Sequence, residues 1–151
     1  MNQLERAIAI AVEAHRGQFD KAGRPYVLHP LRMMFRMQND TEMIVAVLHD
    51  VVEDAEDWTF EKLRAEGFDE QVLAALDGVT KRDGESYEEF IHRAARNPVA
   101  RRVKLADLED NMDIRRLQQL GERDGARLAK YLRAWQTLSA KPTASSIGES
   151  N

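Results

Sequence analysis

The 151-residue chain contains no cysteine, which excludes disulfide bonds, thiolate zinc sites, iron–sulfur clusters and cysteine nucleophiles. It also lacks the Gly-rich GxxxxGKS or GxxxxGKT phosphate loop, so P-loop chemistry is excluded. Any metal ion must therefore be held by His and carboxylate side chains.

Long apolar runs and an excess of positive charge are missing too. No stretch reaches the roughly 18 apolar residues of a membrane span, and the acidic, interrupted N-terminus does not resemble a signal peptide. With 22 Lys and Arg against 26 Asp and Glu, the net charge is −4, so no global positive field attracts a nucleic-acid duplex or an anionic membrane. We therefore expect a soluble cytoplasmic protein that binds neither of them.

The composition that is present indicates one globular domain. The chain is 43% hydrophobic and 32% charged, which suits a single domain with a real core and is too short for two ordinary ones. We place this domain at residues 1–138 and expect the Ser-rich segment 139–151 to be a flexible tail. The oligomeric state, monomer or homo-oligomer, stays open.

Apolar residues recur at helical spacing along most of the chain, which predicts an all-α fold of about seven or eight helices. Gly and Pro in the segment 18–30 predict a loop, and a short apolar stretch follows it at 31–37. The predicted helices cover residues 4–14, 43–54, 60–66, 68–79, 87–95, 98–112 and 122–138.

One predicted helix carries His49, Asp50, Glu53 and Asp54 on a common arc. At about 100° per residue these side chains lie within about 140° of one another and face away from the apolar stripe of the helix. Three carboxylates so close together repel one another, and a cation is the simplest way to offset that repulsion. For this segment alone, a solvated acidic face beside an ordinary His is the alternative interpretation.

Two further residues extend the set into a candidate metal site. His29 lies in the predicted loop directly before Pro30, and Asp107 lies among apolar neighbours, where a carboxylate needs a partner. Two imidazoles and two carboxylates form a nitrogen and oxygen donor set that suits Mn²⁺, Fe²⁺ or Zn²⁺. His15 and His92 have no motif role, and we expect both to be partly exposed helix residues.

The order of His29, then His49 and Asp50, then Asp107 along the chain resembles the metal-binding signature of the HD phosphohydrolase superfamily. More narrowly, the segments GQFDKAGRPYVLHP, LHDVVED and VKLADLEDNM resemble the hydrolase domain of the RelA/SpoT alarmone enzymes and of their stand-alone short forms. The resemblance covers about residues 4–117. It implies one bound Mn²⁺, with Fe²⁺ or Zn²⁺ as alternatives, held by His29, His49, Asp50 and Asp107.

The same resemblance implies hydrolysis of the 3′-diphosphate of guanosine tetra- or pentaphosphate with release of pyrophosphate. Glu53 and Asp54 match the catalytic acidic pair of the family; Glu53 would move the proton and Asp54 would orient the water or the metal shell. Lys21 and Asn111 match residues near the nucleotide, and Tyr26 is either a neighbour of the sugar or base or a packing residue.

The chain departs from the family pattern at two places. Asp20 stands where family members often carry a basic residue, and Leu108 and Asp110 replace the Arg and His of the usual KLADRLHNM segment. Two other hypotheses therefore stay open: an HD phosphohydrolase acting on another phosphorylated nucleotide or cofactor, and a non-catalytic nucleotide-binding sensor. Five basic residues could restore positive charge at the pocket, or could instead be solvated surface residues: Arg24, Lys81, Arg82, Arg115 and Arg116.

Overall fold

The computed structural model describes residues 1–140, which form the all-α domain that the sequence predicts. Within this range, β structure is limited to one bridge between Phe19 and Pro25. Of the predicted tail 139–151, Ser139 belongs to the last helix, and residues 141–151 lie outside the described part of the chain. The helices are α1 Gln3–Ala14, α2 Leu28–Phe35, α3 Asp40–Leu48, α4 Val51–Asp54, α5 Phe60–Ala65, α6 Glu70–Gly78, α7 Tyr87–Ala95, α8 Pro98–Asn111 and α9 Glu122–Ser139, with a 3₁₀ turn at Ile114–Arg116.

Local sequence signals set several helix boundaries. Ser86 and Glu89 form a capping box at the start of α7, because each side chain accepts the backbone N–H of the other residue. Thr59 caps α5, and Pro98 occupies the first position of α8, where a missing N–H costs no intrahelical hydrogen bond. Gly67 ends the α5 segment with φ +97°, a left-handed conformation that favours glycine.

The predicted loop 18–30 is too long. The α2 helix already begins at Leu28, so His29 lies in its first helical turn rather than in the loop. Pro30 fits there because an N–H in the first turn has no intrahelical acceptor. This early start anchors the imidazole of His29 to a helix that buries Met33 and Met34 in the core.

The predicted continuous helix 43–54 is also wrong, since it is interrupted between α3 and α4. Helix α3 ends at Leu48 and α4 begins at Val51. Nδ1 of His49 lies 2.8 Å from the carbonyl oxygen of Ala46, which in an unbroken helix would accept the N–H of Asp50. Here this carbonyl instead meets the side chain of His49 and, at 3.4 Å, its backbone N–H, and the chain turns at His49 and Asp50.

Helix α3 lies at the centre of the core. Its residues from Ile44 to Leu48 are at most 4% exposed. Helices α1 and α2 pack against it, and α6 and α8 contact it as well. Gly78 lies where α6 approaches α8, and a Cβ atom at this position would lie 2.8 Å from the Cβ of Ala100.

A second apolar cluster joins α7, α8 and α9, with Phe90, Leu108 and Leu138 buried in it. Helix α8 thus contacts both clusters, which fixes its position in the middle of the domain. Among residues 1–140, no helix combines the length and the apolar character needed to cross a membrane.

Candidate active site

Three separate segments bring the four predicted metal ligands together. His29 comes from α2, His49 and Asp50 from the turn before α4, and Asp107 from α8. Nε2 of His29 lies 2.9 Å from Oδ1 of Asp107, whereas Nε2 of His49 lies 2.9 Å from Oδ2 of Asp50 and 3.5 Å from Oδ1 of Asp107. One ligand atom each of His29, His49 and Asp50 lies within 4.8 Å of the other two. We refer to these four residues as the His–Asp cluster.

Both imidazoles of the His–Asp cluster direct Nε2 inward. Nδ1 of His49 lies 2.8 Å from the carbonyl oxygen of Ala46, and Nδ1 of His29 lies 2.6 Å from Oδ2 of Asp110. A carbonyl oxygen and an ionised carboxylate can only accept, so both Nδ1 atoms carry hydrogen and donate. Nε2 of His49 is buried without a hydrogen-bond partner in residues 1–140, although Asp50 is close to it. An orphaned imidazole nitrogen beside carboxylate oxygens is a donor set that fits a divalent cation.

The electrostatics of the His–Asp cluster favour a cation. Burial opposes protonation of both imidazoles, yet the neighbouring carboxylates outweigh it and raise the pKa of His29 and of His49. Burial likewise opposes ionisation of Asp107, but Lys104 and the two imidazoles hold its pKa well below the ordinary value. The centre of the cluster therefore has a negative potential that stabilises positive charge.

The predicted acidic pair, Glu53 and Asp54, lies on α4 at the edge of this cluster. Oε1 of Glu53 accepts the backbone N–H of Lys81 at 2.8 Å, which fixes this oxygen, and Oε2 accepts no hydrogen bond from residues 1–140. Burial raises the pKa of Glu53, and the negative charge of Asp50 adds to that rise. Burial and Asp50 also raise the pKa of Asp54, whose Oδ2 lies 3.9 Å from Nδ1 of His15.

A cavity of about 270 Å³ opens on one side of the His–Asp cluster at His29, and we call it the first cavity. Three of the residues that the sequence placed near a nucleotide line it: Lys21, Tyr26 and Asn111. Arg24 is exposed and is not among the residues that line this cavity. The remaining polar lining residues are Asp20, Asp113, Arg116, Arg127 and Tyr131.

A second cavity of about 190 Å³ lies on the other side of the cluster and is lined by Asp50, Glu53 and Asp107. Asn111 and Tyr131 line both cavities, so the two spaces adjoin at these side chains. The walls of the second cavity also include three lysines, Lys81, Lys104 and Lys130, which balance the charge of its three carboxylates.

Tyr26 has a specific partner rather than a purely packing role. Its hydroxyl group donates a hydrogen bond to Oδ2 of Asp50, and its ring lies beside His15 and His29 with centroid distances of 5.0 and 5.7 Å. Burial and the charge of Asp50 raise the pKa of the Tyr26 hydroxyl. The hydroxyl group therefore stays protonated and remains a donor to Asp50.

Three residues around the cluster were not assigned a role from the sequence. The prediction that His15 is partly exposed is wrong: the residue is 2% exposed and its ring contacts the Tyr26 ring.

Lys104 and Asp110 lie on α8 with Asp107, three residues away on either side. Helical spacing places such residues on neighbouring parts of one surface, so their proximity could have been predicted. His92 is exposed, as predicted.

Comparison with curated proteins finds relatives that are much longer than this chain. It is 35% identical over 122 residues to a guanosine-3′,5′-bis(diphosphate) 3′-pyrophosphohydrolase of Aquifex aeolicus, a match covering 73% of this chain and 17% of that protein. It is 34% identical over 125 residues to a GTP pyrophosphokinase of Streptomyces coelicolor, covering 74% and 14% of the two chains. A second guanosine-3′,5′-bis(diphosphate) 3′-pyrophosphohydrolase, from Vibrio cholerae, is 36% identical over 111 residues, with 71% and 15% covered.

The chain thus spans less than a fifth of the length of these relatives. Comparison with protein families gives a match to the HD domain over residues 7–117, which include all four residues of the His–Asp cluster and the acidic pair. HD domains bind a divalent metal ion, and the imidazoles and carboxylates on α2, on α8 and in the turn between α3 and α4 are suited to hold one. This match covers most of the chain, and the protein is therefore a member of the HD-domain family.

Proposed function

We propose that this protein is a metal-dependent nucleotide pyrophosphohydrolase that cleaves guanosine 3′,5′-bis(diphosphate) at its 3′-diphosphate and releases pyrophosphate. The observation that carries the proposal is the convergence of two inward-facing imidazoles and two carboxylates beside an acidic pair, between two cavities. The activity for which the relatives from Aquifex aeolicus and Vibrio cholerae are named supports this substrate. We place the activity in the cytoplasm and in the stringent response.

In this proposal His29, His49, Asp50 and Asp107 hold one Mn²⁺ ion, with Fe²⁺ or Zn²⁺ as alternatives. The donor set contains nitrogen and oxygen but no sulfur, which is compatible with all three ions. When bound, such an ion polarises a phosphoryl oxygen and lowers the pKa of a water molecule. The protein residues position the substrate and move the proton.

Glu53 is the proposed general base. Its Oε1 atom is held by the N–H of Lys81, so Oε2 is left to accept a proton from the attacking water. The raised pKa of Glu53 makes its carboxylate a stronger base than an ordinary glutamate. Asp54, on the same helical turn, orients the water.

Nucleotide binding in this proposal uses both cavities. Lys21, Arg116 and Arg127 offer positive charge in the first cavity, and the Tyr131 ring provides an apolar surface for a base or sugar. The lysines of the second cavity neutralise phosphate charge on the other side of the cluster. Asn111 lines both cavities and is placed to contact the group that crosses between them.

A second substrate class is favoured by one observation at the rim of the first cavity. Oδ2 of Asp20 lies 3.3 Å from Nη1 of Arg116, so one of the positive charges in the cavity is already partly neutralised. Asp113 adds another carboxylate to the lining. A nucleotide with fewer phosphates than guanosine tetraphosphate is the alternative substrate that suits this rim.

Incubation of the Mn²⁺-loaded protein with guanosine tetraphosphate tests the proposal, with the two products separated by anion-exchange chromatography. We expect GDP and pyrophosphate in equal amounts. A parallel panel of other phosphorylated nucleotides distinguishes the second substrate class. Release of orthophosphate alone, or no product with any nucleotide, would contradict the proposed reaction, and a His49→Ala variant controls for contaminating hydrolases.

A further inference from the structure

We infer that Asp110 is a positioning residue that fixes the imidazole of His29 with Nε2 facing the cation site. The inference rests on the proposed metal-binding function of the His–Asp cluster. It concerns a side chain that belongs neither to the four proposed ligands nor to the acidic pair.

The contact between Asp110 and His29 is short and buried. Oδ2 of Asp110 lies 2.6 Å from Nδ1 of His29, and the two residues are 7% and 4% exposed. They are 81 positions apart in the chain, so the contact depends on the packing of α2 against α8. The short distance and low exposure make this a strong, charge-assisted hydrogen bond.

Two arginines hold Asp110 in place. Arg32 donates from Nε to Oδ1 at 2.8 Å and from Nη2 to Oδ2 at 2.9 Å, which is a bidentate arrangement. Nη2 of Arg116 donates to the backbone carbonyl of Asp110 at 2.9 Å. Because the guanidinium group of Arg32 can only donate, both oxygens of Asp110 remain acceptors and the carboxylate stays ionised.

An ionised carboxylate forces one orientation on the imidazole. Nδ1 of His29 must carry the hydrogen of the bond, so in the neutral ring the lone pair lies on Nε2, 2.9 Å from Oδ1 of Asp107. Asp107 and Asp110 are one turn apart on α8, so a single helix contacts both nitrogens of the ring. Carboxylates that orient ligating histidines in this way typically contribute about 10- to 100-fold in metal affinity.

The other imidazole of the cluster is oriented differently. Nδ1 of His49 donates to the carbonyl of Ala46 in the preceding helix, a partner supplied by the backbone. The orientation of His29 depends instead on a side chain, and is therefore open to mutation.

Replacement of Asp110 by Asn gives the sharpest test. An amide can present either its oxygen or its NH₂ group to Nδ1 of His29, and it lacks the negative charge of the carboxylate, so the ring is no longer forced to carry its hydrogen on Nδ1. Mn²⁺ affinity, measured by electron paramagnetic resonance titration, should fall about 10- to 100-fold. In the Zn²⁺-loaded protein, ¹⁵N correlation spectra should show hydrogen on Nδ1 of His29 in the wild type and lose that signature in the variant.

Glu109→Gln is the matched control. It removes the same charge from the adjacent position of α8, where Glu109 pairs with Arg36 and accepts the N–H of Trp135, away from His29. Its Mn²⁺ affinity should stay within about twofold of the wild type. If Asp110→Asn does not fold, Arg32→Met releases the carboxylate without altering Asp110 and should weaken Mn²⁺ binding several-fold.

The outcomes separate the inference from the function on which it rests. Wild-type protein that binds no metal ion overturns the proposed metal site and the inference together. Metal binding that is equal in the wild type and in Asp110→Asn, with an unchanged His29 spectrum, overturns the inference alone. A loss of affinity that Glu109→Gln reproduces would show a general charge effect and would also overturn it.

Discussion

Nζ of Lys104 lies 2.7 Å from Oδ2 of Asp107, so the ammonium group occupies one oxygen of this carboxylate while the two imidazoles approach the other. Burial opposes the charge on Lys104, but Asp107 outweighs it and raises the pKa of the ammonium group. Lys104 therefore stabilises the metal-free cluster, yet it repels a divalent cation bound beside it.

The Lys104→Met variant should show both effects. Leaving Asp107 without its cation should lower the free energy of unfolding of the metal-free protein by about 3 kcal/mol. Added Mn²⁺ should then raise the melting temperature more than it does in the wild type. Differential scanning fluorimetry with and without Mn²⁺ measures both quantities, and Lys81→Met removes a lysine from the same cavity as a control. An unchanged metal-free melting temperature would contradict the stabilising role.

Glu53→Gln should abolish turnover without loss of metal binding. The amide oxygen can still accept the N–H of Lys81, but the side chain can no longer take a proton from water. We expect kcat to fall about 10²- to 10⁴-fold. In the wild type, activity should decline as the pH falls through the raised pKa of Glu53, because the protonated carboxyl group is not a base. Glu56→Gln is the control, and an unchanged kcat in Glu53→Gln would remove the assigned role.

Tyr26→Phe tests whether this residue serves the metal site or the nucleotide. The variant keeps the ring but removes the hydrogen bond to ionised Asp50, which should raise the pKa of Asp50 and weaken Mn²⁺ binding several-fold. The KM for the nucleotide at saturating Mn²⁺ should change little. A higher KM with unchanged metal affinity would instead assign the hydroxyl group to substrate binding.

The parts of the fold that depend on local signals could be predicted from the sequence. The capping box at Ser86 and Glu89, the cap at Thr59 and the first-turn position of Pro98 follow from interactions within a few residues. The four proposed metal-binding residues of the His–Asp cluster follow from three motifs that occur in order along the sequence. The structure brings these motifs together, while their roles in metal binding remain predictions.

The missed features depend on distant contacts. His15 is buried because α1 ends beside the Tyr26 ring, and no helical periodicity encodes that neighbour. The turn at His49 arises because its side chain takes a backbone acceptor from the helix, which a regular helical projection ignores. The sequence shows Asp110 only as a departure from the family pattern, because its partners Arg32 and His29 lie about 80 residues earlier in the chain.

Low pH should destabilise the folded conformation of the loop that carries Lys81. Arg93 donates to both oxygens of Glu85 and to the carbonyl oxygens of Asp77 and Thr80, and it lowers the pKa of Glu85 from 4.5 to about 2. The ionised pair therefore stabilises the folded state fully above about pH 4.5, and this contribution disappears as the pH falls towards 2.

The variant Glu85→Gln isolates that contribution. It should be less stable than the wild type near pH 6, and the difference should shrink at about pH 3 because Glu85 is then protonated in the unfolded wild type. Urea unfolding at both pH values measures the difference. Glu88→Gln, an exposed position on α7, should show no such pattern. A stability difference that does not vary with pH would contradict the role of the charge.

Gly78→Ala should destabilise the contact between α6 and α8. The added Cβ would lie 2.8 Å from that of Ala100, so one helix must shift, at a cost of about 1–3 kcal/mol. Gly125→Ala in α9 is the control, since its Cβ would meet no atom within 4 Å and should stabilise the helix by about 0.5–1 kcal/mol. Chemical denaturation of both variants measures the free energy of unfolding. A value for Gly78→Ala equal to that of the wild type would contradict the prediction.

Helix α9 supplies Arg127 and Tyr131 to the first cavity, and both lie beyond residues 7–117, the part that aligns with the HD domain. It rests on α7 and α8 through its own apolar cluster, apart from the core around α3. One wall of the first cavity thus comes from outside the aligned region, whereas the His–Asp cluster lies wholly within it. Substitutions on that face of α9 would reshape the cavity without replacing any residue of the cluster.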